Sequence, residues 1–198
     1  MRHVERAFLA RDPRDVAPEL LGKVLAHDAP QGRRSGRIVE VEAYCGPIDA
    51  GAHTYRGRTA RNATMFGPAG LLYVYFTYGM HWCANVVCGD EDEGVAVLVR
   101  ALAPLEGIED MRAARGPAAK RERDLCSGPA KLAQALGLHG SHDGVDLLGG
   151  SPVGLWDDGT PPPADPVQAT RIGLSAGAEH PWRWYVGDDP NVSRRRPA

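Results

Sequence analysis

The chain has 198 residues, 43% of them apolar, with 23 lysines and arginines against 25 aspartates and glutamates and a formal charge of −2. That length suits one domain burying about 70% of its unfolded surface, which needs no disulfide or metal to hold it together. Residues 1–6 hold no apolar leader core, and no run approaches the roughly 18 apolar residues of a membrane span. The sequence therefore reads as that of an intracellular, soluble protein with no membrane partner.

Cys45, Cys83, Cys88 and Cys126 form no Cys-x-x-Cys pair and read as reduced, buried residues. His81 and Cys83 could offer two ligands from one strand face, but no second pair with ligand spacing accompanies them. No metal is expected. The small net charge hides an uneven distribution. Arg33, Arg34, Arg37, Arg56, Arg58 and Arg61 crowd one region and Arg112, Arg115, Lys120, Arg121, Arg123 and Lys131 another, with the acid elsewhere. A basic face with an acidic back can steer a polyanion, although such clusters are usually solvated charge.

From the N-terminus, residues 11–22 read as a short helix closed by Gly22, and residues 23–27 as a strand. Ala29-Pro30-Gln31-Gly32 is turn chemistry that would fold this strand onto residues 37–44 as a hairpin. The stretch 37–53 is the most unusual in the chain. Alternation places Val39, Val41 and Ala43 on one face and Ile38, Glu40, Glu42 and Tyr44 on the other. Two readings fit: a half-exposed strand whose glutamates are solvated or paired with Arg33, Arg34 or Arg37, or a catalytic carboxylate at a strand end. In the second, the following loop would deliver an aromatic and His53. Residues 46–68 make a long arginine-bearing loop, and loops of that length are more often functional than decorative.

Residues 70–87 hold two aromatic, β-branched runs about Gly79, the signature of a hairpin. Tyr73 and Tyr75 point one way, and Leu72, Val74 and Phe76 the other. The tip carries Tyr78, Met80 and His81, where turns ordinarily carry small polar residues. They could pack on a neighbouring helix, or act as the wedge that minor-groove binders insert between base steps. Residues 94–101 read as an apolar strand bearing Arg100. Residues 104–115 read as a helix with Leu105, Ile108 and Met111 turned inward. Ser127-Gly128-Pro129 would cap a helix running to Leu136 and stopped by Gly137. A proline-rich surface loop is expected at 151–166, final strands at 168–174 and 182–186, and a frayed basic tail at 193–198.

Five blocks then read together: Arg37-Ile38-Val39-Glu40-Val41-Glu42-Ala43-Tyr44, His53 through Asn62, Leu72 through Met80, Leu98-Val99-Arg100-Ala101, and Asp124 through Leu132. In this order they resemble the alkyladenine (3-methyladenine) DNA glycosylase family of the mammalian type, over nearly the whole chain. The resemblance implies one α+β domain (1–198) around a curved antiparallel β-sheet, with flanking helices and a protruding β-hairpin. It implies no metal or cofactor and no lyase chemistry. The general base falls on Glu42, with Arg100 beside the attacking water. The walls of a base pocket fall on Tyr44, His53 and Tyr75, its floor on Asn85, and the DNA wedge on Tyr78 with Met80. Arg56, Arg58, Arg61 and His81 are the candidate DNA-backbone contacts.

The implied partner is double-stranded DNA with purines of the 3-methyladenine, 7-methylguanine, hypoxanthine and ethenoadenine class, acted on by a monomer. Glu40, one pleat earlier than Glu42, is expected to be structural and near an arginine. Asn85 has a second reading, an amide bonded to neighbouring backbone. Two rivals come from other classes. A non-catalytic DNA-damage binder would not need Glu42, and a small-molecule nucleoside hydrolase would not need the wedge or the arginines.

Overall fold

The computed structural model describes residues 1–193. In chain order its elements are β1 (Arg2–His3), α1 (Arg6–Leu9), α2 (Pro13–Leu20), β2 (Val24–Ala29), β3 (Gly32–Tyr44), β4 (Leu72–Thr77) and β5 (His81–Cys88). There follow β6 (Val95–Glu106), α3 (Ile108–Arg115), α4 (Pro129–Leu136), β7 (Val153–Asp157), β8 (Val167–Ala169) and β9 (Arg183–Tyr185). One curved antiparallel sheet, ordered β1-β7-β2-β3-β6-β5-β4, carries all the strands, with β9 paired to β3 and β8 to β9. The fold is the expected α+β class.

The 13-residue strand β3 is the spine of the sheet. One edge runs along β6, while the other pairs first with β2 and then, at Glu40–Glu42, with β9. Strict alternation fails on this strand. Ile38 pairs Leu102 and Glu40 pairs Ala101, so Val39 is an extra residue; Val41 then pairs Val99, so Arg100 is extra on β6. The two bulges cancel, and the register beyond them is unchanged. Ile38 therefore joins Val41 and Ala43 in the main core, and Val39 turns to a smaller cluster with Ala101, Ala169, Tyr185 and Val192. This corrects the expected faces of Ile38 and Val39, and leaves Glu40, Glu42 and Tyr44 on one side.

Helix α2 starts as sequence chemistry dictates. Asp12 accepts a hydrogen bond from the Arg14 amide, Pro13 sits at the first helical position, and Val16, Ala17 and Leu20 are buried. Helix α4 also begins on a proline and stops at Gly137 (φ 72°), but its N-cap is Gly128; Ser127 instead accepts from Lys131 Nζ. Both helices cover the apolar face of the sheet.

Three expected boundaries move. Residues 104–106 continue β6 rather than opening a helix, so Leu105 is exposed. Pro104 is tolerated in the ladder because the register slips beside its partner Gly36. The expected loop at 151–166 contains β7, whose Val153 and Leu155 are buried against β2. After Ala169 the expected strand to 174 leaves the sheet. Ser193, expected in the frayed tail, is tied to Glu40 by its amide at 2.7 Å and its hydroxyl at 3.0 Å. The rest of that tail, residues 194–198, lies outside the described residues. No described helix is long and apolar enough to cross a membrane.

Candidate active site

The two glutamates of β3 lie side by side with no exposed surface. Neither is solvated nor paired with the nearby arginines: Arg33 bonds Asp28 and Glu106, Arg34 bonds the Ala135 carbonyl, and Arg37 bonds Asp158. What separates the glutamates is how far their hydrogen-bonding capacity is used. Glu40 accepts from Arg100 Nε (3.1 Å), Arg183 Nε (2.7 Å) and both the amide and hydroxyl of Ser193. Four donors thus meet the roughly four lone-pair sites of this carboxylate, three of them crowding Oε1 and the Ser193 amide on Oε2. Glu42 accepts from the Ile172 amide at 2.8 Å, the Tyr44 hydroxyl at 2.9 Å and Arg100 Nη1 at 3.1 Å. Among the described residues that leaves a place on Oε2 for one more donor.

Arg100 links the pair, and the bulge that frees it from the β6 register aims it there. Burial alone would lower its affinity for its proton, but Glu42 and Glu40 more than offset this and hold it charged. Glu40 shows the converse balance: burial pushes its carboxyl up, and Arg100, Arg183 and Ser193 bring it below the ordinary value.

Beside Glu42 opens a cavity of about 60 Å³ lined by Tyr44, Gly51, His53, Met65, Tyr73, Tyr75, Asn85 and Leu174. The cross-strand pairs Tyr73–Asn85 and Tyr75–Cys83 put these four side chains on one face of the β4–β5 hairpin, as alternation requires. His53 stands edge-on to Tyr75, with centroids 4.4 Å apart and planes at 83°, and its Nδ1 lies 3.2 Å from the Tyr73 hydroxyl. One edge of His53 stays open to solvent, yet the partial burial of its ring and the charge of Arg61 lower its pKa. Burial and Glu42 raise Tyr44 well above the ordinary phenol value, and burial takes Tyr73 to about 12. These rings remain neutral donors. Asn85 fits both of its readings: it lines the cavity and its Nδ2 donates to the Tyr73 carbonyl at 3.2 Å.

The hairpin tip stands clear of the protein. Tyr78 is 80% and Met80 69% exposed, and His81 is exposed beside them. Tyr78 takes φ 52° and Gly79 φ 67°, and the Met80 amide closes the turn on the Thr77 carbonyl. Positive φ costs a bulky L-residue energy that Asn or Gly would avoid, and such outliers cluster at functional sites.

The three loop arginines do not act alike. Arg56 is exposed, Arg58 pairs at the surface with Asp92, and Arg61 supports the hairpin by donating to the Phe76 carbonyl at 3.0 Å. Asn62 fixes their loop from within, donating to the His53 and Gly57 carbonyls and accepting from the Thr59 amide. The other basic cluster divides: Arg121, Arg123 and Lys131 line a second, open cavity of about 480 Å³ with Ser127 and Ser193, while Arg112 and Lys120 line a separate surface and Arg115 bonds Gln134. Among the described residues, no group of three or more His, Cys, Asp or Glu side chains could hold a metal ion.

Sequence reasoning did not assign Gly51, Met65 and Tyr73 to the cavity, and it missed a second set of residues around Glu42. Asp49, Arg171, Ile172 and Leu174 come from a turn and from a run read as strand. The one available signal was an arginine, Arg171, inside a run otherwise read as strand.

Residues 7–190 match the family model described as methylpurine-DNA glycosylase (MPG). The chain belongs to the methylpurine-DNA glycosylase family. Relatives of nearly the same length carry the name "Putative 3-methyladenine DNA glycosylase". One from Burkholderia lata is 60% identical over 95% of this chain and 89% of its own. One from Rubrobacter xylanophilus is 52% identical over 90% and 91%, and one from Streptomyces avermitilis 50% identical over 96% and 91%. Membership makes DNA the partner, an N-glycosyl bond the bond hydrolysed and DNA repair the context.

Proposed function

We propose that this member of the family flips damaged purines of the 3-methyladenine, 7-methylguanine, hypoxanthine and ethenoadenine class out of duplex DNA, as a monomer, and hydrolyses their N-glycosidic bond. The observation that carries the reading is Glu42, buried, held by three donors and joined through Tyr44 to an aromatic cavity. A base stacked in a duplex is unreachable, and extruding it costs a few kcal/mol. Base–aromatic stacking returns roughly 1–3 kcal/mol per base. His53 and Tyr75 already touch, so the base enters between that pair and the face of Tyr44 opposite Arg171, whose guanidinium lies 4.7 Å from the ring centre. Electron-rich ring faces favour cationic alkylpurines, and the exposed Tyr78 fills the gap left in the stack.

Glycosidic cleavage passes through an oxocarbenium-like sugar. Glu42 stabilises that cation and, through its open site on Oε2, orients and deprotonates the attacking water, with Arg100 beside it. The chain has three lysines, none lining the aromatic cavity. With no amine there to form a Schiff base, the product is an intact abasic site. Arg56 and Arg58, with Arg121, Arg123 and Lys131 of the second cavity, offer charge to the phosphates, and His81 flanks the wedge.

Duplex oligonucleotides bearing each lesion test this. Base release is expected from at least one, with strand breaks only after alkali. Binding without release would leave a damage-binding protein, and comparable cleavage of free nucleosides a nucleoside hydrolase.

A further inference from the structure

Between the end of β3 and the segment after β8, Asp49 and Arg171 face each other with both side chains fully buried. The pair is bidentate: Arg171 Nη1 lies 2.6 Å from Asp49 Oδ2, and Nη2 2.7 Å from Oδ1. Asp49 also accepts from the amides of Cys45 at 3.1 Å and Gly51 at 2.9 Å. Arg171 also donates to the carbonyls of Ala43 at 3.0 Å and Gly177 at 2.8 Å, and covers Tyr44 on one face and Trp182 at 5.1 Å. Its Nε has no partner among the described residues.

Buried ion pairs are a poor source of stability, since desolvation takes back most of the attraction, and an unpaired buried Nε deepens that cost. What this pair does supply is direction. Several of the residues it holds or adjoins reach the site. The residue after Arg171 is Ile172, whose amide donates to Glu42; two further on, Leu174 lines the base cavity; Gly51, held by Asp49, lines it too; and Tyr44 is both a wall and a donor to Glu42. Space is exhausted around the pair. A methyl on Gly51 would stand 2.9 Å from Arg171 Nη2 and from Leu174 Cδ1, and one on Gly177 3.0 Å from Arg171 Nη2.

We infer that Asp49 and Arg171 are positioning residues, a clamp that sets the Ile172 amide and the Tyr44 ring against Glu42 and so fixes the geometry of base release. The inference rests on the proposed role of Glu42. Neither residue touches the base or the water.

The test is single-turnover base release from a lesion-bearing duplex, measured with binding to the same duplex and thermal melting, for Asp49→Asn, Arg171→Lys and Gly177→Ala. Misplacement by about an ångström costs about a hundredfold in rate. The expected result is a loss of that order with affinity within about threefold of wild type. Gly177→Ala removes no charge, lies outside the cavity lining and presses on Arg171 Nη2 at 3.0 Å and Asp49 Oδ1 at 3.1 Å, so it decides the matter if the charge variants fail to fold. Unchanged rates in folded variants would overturn the inference. So would rate and affinity falling together in step with melting temperature, the mark of a merely structural pair. Glu42→Gln runs alongside. If it abolishes release while the clamp variants do not, the clamp fails and the Glu42 reading stands. If wild type releases no base from any lesion, both fall.

Discussion

The Tyr44 hydroxyl donates back along its own strand to Glu42 Oε2 at 2.9 Å, so the wall of the base cavity and the buried carboxylate are joined by one hydrogen bond. An aromatic base stacking on Tyr44 would therefore meet a ring already fixed in relation to the group that handles water.

Glu42→Gln is expected to lower base release by at least the 10²–10⁴-fold of general-base assistance. An amide cannot deprotonate water, and its NH₂ would confront one of the three donors now aimed at Glu42. Binding to lesion DNA should persist, because the cavity walls and wedge are untouched. Single-turnover release alongside a binding titration checks both halves; activity within about threefold of wild type would remove Glu42 from the mechanism.

Glu40 should behave differently. Its folded-state pKa is depressed from the ordinary 4.5, chiefly by Arg100 and Arg183 acting against burial. A depressed carboxyl gives stability that is complete above its unfolded value and lost as pH falls through its folded one. Wild-type melting temperature should thus fall steeply below about pH 4.5, and Glu40→Gln should show a shallower fall there. At neutral pH the variant should already be less stable by about 3–5 kcal/mol, the usual result of leaving buried charge unmatched. Parallel acid limbs for the two proteins would refute this assignment.

For Tyr78→Ser we expect a smaller extrahelical population of the lesion base, read from a fluorescent reporter base in the duplex. Folding should be unaffected, since the side chain is exposed and serine relieves a bulky residue of its positive φ. An unchanged flipped population would reduce Tyr78 to a surface residue.

Asn85 offers a test of selectivity. On the cavity floor its amide would crowd the exocyclic 2-amino group of guanine, which adenine and hypoxanthine lack, and specificity is often obtained by such a clash. Asn85→Ala and Asn85→Ser should raise excision of guanine, above all from mispairs, relative to hypoxanthine. A constant ratio in both variants would leave only the bond to the Tyr73 carbonyl as its purpose.

The local chemistry of the chain was readable where one pattern acted alone. Tyr73 and Tyr75 turn to the cavity, and Leu72 and Val74 to the core, as a period of two demands. Reading failed where two distant segments set the outcome. Nothing near Val39 announces a bulge, because its compensation sits on Arg100 of another strand. The five residues of β7 were masked by the serine, glycine and proline on either side. Arg171 fell inside an expected strand at 168–174, and its meaning depends on Asp49, 122 residues earlier. Charged residues in an apolar sheet state that partners exist without saying which.

Those partners also impose an order of events on folding. The bonds that complete the surroundings of Glu42 and Glu40 span 130 residues to Ile172 and 153 to Ser193, whereas β2–β3 and β4–β5 are neighbours in sequence. Loop closure must be met before distant contacts give anything back, so local pairing comes first. Until residues 171–193 dock, the centre of the sheet carries two carboxylates short of their donors. A partly folded chain is thus poised to stay loose at its middle, and the apparatus for chemistry is among the last parts to close.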